Sequence, residues 1–175
     1  MGGKNEGKIE YEGLTGLYMK FIDGMNLVLR LVGGVILVAM VICVFMSVVS
    51  RAVANFSISW VEELVTFGMA WIASIGTALA VRGGNLTNLE LFLMKLPEHV
   101  KRRIALLVYV ITLVLFIFMM YSGFKMANIA KLQSAPTIPG FSMLWVYIAI
   151  PIGIVAMWLN TVARIIELIR KEGES

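Results

Sequence analysis

The chain has 175 residues, of which 59% are hydrophobic and 15% charged, where a water-soluble domain carries roughly 25% charged residues. With a mean hydropathy of +0.88, it holds more apolar surface than one globular core of this length can hide, which excludes an ordinary soluble enzyme. One cysteine, Cys43, and one histidine, His99, leave no internal disulfide, His-rich metal site or bis-histidine haem clamp, so no cofactor is expected.

Residues 1–26 contain Glu6, Glu10, Glu12 and Asp23 among their bases and lack a small-residue cleavage site before a short apolar core, which is not the pattern of a cleavable signal peptide. Within them Leu14, Leu17, Tyr18, Phe21, Ile22 and Met25 recur at steps of three and four. That spacing predicts an amphipathic helix at the inner membrane surface, leading into the first span.

Four runs lack charge for long enough to cross a bilayer, and they place spans at about 27–50, 60–82, 103–125 and 141–165. Each has the ~20 residues that a hydrocarbon core requires of a helix. Barrel alternation is missing, so the spans are predicted as helices. The fold class is therefore an all-α integral membrane protein of one domain, with four transmembrane helices and amphipathic in-plane helices.

The second span is preceded by the main polar constellation, Arg51 and then Ser57-Ile58-Ser59-Trp60-Val61-Glu62-Glu63. Ser59 and Glu62 have the spacing of a capping box, in which Glu62 reaches back to an unpaired amide, and both acids suit the positive end of a helix dipole. Trp60 suits an interface anchor. Arg51 is near enough in sequence to pair with either acid, which would lock two helices together or present charge to a partner. Adjacent helical residues point about 100° apart, so Glu62 and Glu63 are poor joint metal ligands. In the span itself Ala70, Ser74 and Ala78 form a small-residue stripe, with Gly33 and Gly34 opening the first span. Such stripes admit close helix approach, toward the chain's own helices in the favoured reading or toward another protein in the alternative.

Residues 85–97 include Leu86, Leu89, Leu93 and Leu96 on one face, a Thr87/Glu90 capping pattern and a terminating Pro97. They predict a helix in the membrane plane, with extension of a neighbouring span as the alternative. His99 falls in the basic loop that follows. Before the fourth span, Pro136, Pro139 and Gly140 predict an ordered turn within an outer loop from Lys125 to Gly140. Inside that span Pro151-Ile152-Gly153 predicts a bend, structural in the favoured reading because no charged residue neighbours it.

Twelve of the fifteen lysines and arginines lie on the side of the two termini, while the opposite face keeps Arg51, Lys125 and Lys131. By the positive-inside rule both termini are cytoplasmic. The basic excess is mostly this bias, so it gives no support to nucleic-acid binding. No Asp, Glu, Lys, Arg or His lies deep in any span, which leaves the helices without the ionisable group that coupled carriers usually hold there.

These residues resemble the small, DctQ-like membrane subunit of tripartite ATP-independent periplasmic (TRAP) transporters over roughly Phe21 to Arg170. The resemblance rests on Arg51 closing the first span, Ser59-Trp60-Val61-Glu62-Glu63-Leu64, Gly76 through Ala78 and Ala80 to Arg82, the Pro136–Pro139 loop, and Tyr147 followed by Pro151-Ile152-Gly153. Many relatives place a histidine shortly after the arginine that ends the second span. This chain has Gly83-Gly84-Asn85 there, so no role of that histidine carries over.

The resemblance implies a non-catalytic scaffold in the inner membrane of a bacterium or archaeon. Its partners would be a large multi-span elevator subunit, an extracytoplasmic substrate-binding protein and the lipid bilayer, in a sodium-coupled importer of organic acids. Its structural or interface candidates are Arg51, Ser59, Trp60, Glu62, Glu63, Arg82, Tyr147, Pro151 and Gly153. Two other readings stay open: a homo-oligomeric four-helix transporter, with Thr66, Ser74, Thr77, Thr112 and Asn160 to line a path, and a membrane anchor or assembly protein.

Overall fold

The computed structural model describes residues 14–54, 59–83 and 98–170. They form α1 (Leu14–Ala54), α2 (Ser59–Gly83), α3 (Glu98–Ala130), the single turn α4 (Leu144–Tyr147) and α5 (Ala149–Arg170). Among the described residues there is no strand beyond one antiparallel bridge between Ser134 and Ser142. Among the described residues four stretches are long and apolar enough to cross a membrane: Thr15–Val53, Ser59–Gly83, Arg103–Ala130 and Leu144–Arg170.

The lead-in and the first span are one continuous helix of 41 residues, about 62 Å at 1.5 Å per residue and so well beyond a ~30 Å hydrocarbon layer. The apolar face expected near its start divides. Ile22 is buried with Met19 against Ala163, and Tyr18 and Met25 pack on the same cluster, whereas Leu17 and Phe21 are exposed. The predicted in-plane helix at 85–97 lies outside the described residues. At the other side of that gap α3 begins at Glu98, so His99, placed from sequence in a loop, is helical.

The helices stand in a row. α2 packs between α1 and α5, α5 packs between α2 and α3, and α1 meets α5 mainly through its first turns. α1 and α3 therefore flank the row with long apolar faces turned outward, among them Val35, Phe45, Leu115 and Phe118. The small-residue stripe of α2 faces inward onto α5. A Cβ built on Gly153 would stand 2.6 Å from that of Ser74, so only glycine allows α2 and α5 to approach this closely. Ala78 is fully buried on the same side.

The break in the last span falls earlier than the Pro151-Ile152-Gly153 motif suggests, at Ile148 between α4 and α5. Proline clashes with the carbonyl four residues before it and cannot donate to it. For Pro151 that residue is Tyr147, where α4 ends, and the ladder resumes with the Ile152 amide donating to the Ile148 carbonyl at 3.2 Å. Pro151 is buried next to Gly123 of α3, where an added Cβ would lie 3.5 Å from the ring. The motif thus sets the start of α5 and its fit to both neighbours.

Candidate functional site

The polar side chains gather at the two ends of the row. At one end α1 finishes with Arg51 and α2 begins with Ser59. The Arg51 guanidinium donates to Glu62 Oε1 at 2.5 Å, with both side chains exposed. This corrects the capping-box expectation for Glu62. A guanidinium across the short connection offers the carboxylate a charge-assisted bond, stronger than the neutral amide that a capping box would supply.

Glu63 turns another way. Its Oε2 accepts from both the backbone N–H, at 2.9 Å, and the hydroxyl of Thr137. The loop it holds is ordered by its own backbone: the Ala135 amide donates to Phe141 O at 2.9 Å, and the Met143 amide to Gln133 O at 3.0 Å. Gly140 supplies the left-handed turn at φ 84°, a conformation costly for other residues. The loop is shorter than the predicted Lys125 to Gly140, because α3 continues through Lys125 to Ala130. Phe67 of α2 stacks on Phe141 at 5.6 Å, and Trp71 Nε1 donates to the Trp145 carbonyl at 3.1 Å. Trp60 and Trp145 stay exposed, as interface aromatics do.

The opposite end holds a network that sequence reasoning did not assemble. Arg82, in the last turn of α2, donates through Nη2 to Asp23 of α1 at 2.7 Å and through Nη1 to Glu167 of α5 at 2.6 Å. Arg164 donates to the other Glu167 oxygen at 3.0 Å. One guanidinium thus joins three helices, at a point where its own side chain is only 19% exposed. A turn further into the membrane, Asn26 and Asn160 exchange amide hydrogen bonds of 2.7 and 2.9 Å, and Asn160 also donates to the Ala78 carbonyl at 2.8 Å. The Tyr18 hydroxyl donates to the Leu159 carbonyl at 2.9 Å.

Of the residues singled out from sequence, the structure joins Arg51 with Glu62 across α1 and α2, and sets Pro151 and Gly153 in the helix contacts. Ser59 and Trp60 stand exposed at the start of α2, and Tyr147 is half-buried at the end of α4. Asp23, Asn26, Arg164 and Glu167 were missed. A signal was present: Asp23, Asn26 and Arg30 recur at steps of three and four, as do Asn160, Arg164 and Glu167, so each set forms a polar stripe on one helix face. Among the described residues no group of His, Cys, Asp and Glu could hold a metal ion.

Comparison with known families gives one match to report. The family model described as "Tripartite ATP-independent periplasmic transporters, DctQ component" matches residues 40–171, more than half of the chain. A search of curated proteins found no match.

Proposed function

Because this chain belongs to the DctQ component family of tripartite ATP-independent periplasmic transporters, we propose that it is the small, non-catalytic scaffold of a sodium-coupled organic-acid importer. In this reading it braces a large elevator subunit within the inner membrane of a bacterium or archaeon, and its outer end helps dock the substrate-binding protein. Both termini are cytoplasmic, a reading supported by the concentration of basic residues on their side. The Arg51–Glu62 pair and the Glu63-held loop then lie at the outer face, and the Arg82 network at the inner one.

The observation that carries the proposal is the row arrangement. A row with apolar flanks adds width and stiffness to a membrane assembly. The groups that a self-contained carrier would use for a path are occupied within the chain. Thr66, Thr77 and Thr112 each donate to the carbonyl four residues before them, and Asn160 is held by Asn26 and Ala78. Gly153 packs against Ser74.

Affinity purification of the tagged chain from its native membrane tests the reading. A larger multi-span membrane protein is expected to co-purify in fixed proportion. Recovery only as a homo-oligomer, or with a soluble enzyme, would overturn it.

A further inference from the structure

At the end of the row where Arg82 joins three helices there is a cavity of about 380 Å³, whose lining includes Asn26, Arg30, Arg82, Arg164 and Glu167. Three guanidiniums surround it against the two carboxylates of their network. Asp23 and Glu167 are both engaged by Arg82, and Glu167 is shared with Arg164. Arg82 and Arg164 are thus matched in number by the two acids, and the guanidinium in excess at the cavity is that of Arg30. Arg30 is exposed and forms no ion pair with a described carboxylate.

An anion with several acceptor oxygens would supply what the cavity lacks, and guanidinium forks suit phosphate above other anions. The depth is also suitable. Arg30 immediately precedes Leu31, the start of the charge-free run of α1, which puts it at the boundary between headgroups and hydrocarbon. Beside it Leu27, Val28 and Leu31 are exposed apolar side chains on which an acyl chain could lie. We propose that this cavity is a phosphate-binding site at the membrane boundary. A phospholipid headgroup and a free phosphate ion are its two possible sources. The proposal rests on this chain's own geometry and stands apart from the scaffold reading.

Native mass spectrometry of the full-length chain in detergent tests it, with dioleoylphosphatidylglycerol and inorganic phosphate added in separate titrations. The wild-type chain should retain one phosphate-bearing ligand. The double variant Arg30→Gln, Arg164→Gln should bind it about tenfold more weakly or worse, the scale of one lost charged hydrogen bond. Lipid retention that excess inorganic phosphate does not displace would identify a headgroup, while retention of phosphate by delipidated protein would identify the free ion. Either supports the site. Arg30→Gln alone breaks no ion pair with a described acid, so it decides the matter if the double variant does not fold. Equal retention of each ligand by wild type and Arg30→Gln, or no retention of either by wild type, would overturn the proposal.

Discussion

Asn26 of α1 and Asn160 of α5, 134 positions apart, hold each other by two reciprocal amide hydrogen bonds at 2.7 and 2.9 Å, both side chains buried. Hydrogen bonds between membrane helices contribute about 0.6 kcal/mol on average and at most ~1.7, so this pair fixes which faces meet more than it supplies stability. Asn160→Leu should lower the melting temperature of the purified protein by an amount equivalent to about 1 kcal/mol, because it leaves Asn26 Oδ1 without its donor while Asn26 Nδ2 keeps the Ile22 carbonyl. Adding Asn26→Leu should recover part of the loss, since removing both partners leaves no unpaired group. Equal or greater loss in the double variant would count against the pair as an isolated polar unit.

Arg82 should show unequal dependence on its two acids. Glu167 is half-buried and Asp23 is 62% exposed, so solvent screens the second contact more strongly. Glu167→Gln is expected to cost about 1.5–3 kcal/mol, the range for hydrogen bonds to charged groups. Asp23→Asn should cost under ~1 kcal/mol. Thermal unfolding of the two variants in one detergent checks the order, and the reverse order would contradict it.

Gly153→Ala places a methyl group against Ser74 at a distance no packed pair tolerates. Separation of α2 from α5 should cost about 1–3 kcal/mol. Ser74→Gly in the same chain removes the nearest atom and should restore part of the stability, leaving the contact with the backbone of that residue. A melting temperature unchanged by Gly153→Ala would show that the helices are less closely packed.

At the other end, the Arg51–Glu62 pair is exposed on both sides, so Glu62→Gln should change stability by no more than about 1 kcal/mol. Glu63→Gln keeps an acceptor for Thr137 and should also be mild. If this end meets a partner, the double variant should still lower uptake by the assembled transporter at matched membrane abundance. Normal uptake would confine both acids to a local role within the chain.

The number of helices was legible in the sequence because the cost of burying charge in lipid leaves long charge-free runs, such as Leu31 to Ser50. The order of the row was not. In lipid the outward face of α1, with Val35 and Phe45, is as apolar as an inward one, so periodicity does not say which side meets α2. The stripe of Ala70, Ser74 and Ala78 did carry its favoured internal reading, because small size shows wherever backbones approach. Arg51 could be matched with Glu62 from their nearness in sequence. Arg82 could not be matched with Asp23 and Glu167, 59 and 85 positions away, without the fold.

Sodium-dependent uptake by reconstituted vesicles tests the scaffold role most directly, with the chain present alone, with its large membrane partner, and with that partner and the binding protein together. The account predicts uptake only when all three proteins are present, because this chain's spans carry no ionisable coupling group at mid-depth. Sodium-driven uptake by vesicles holding this chain alone would contradict it.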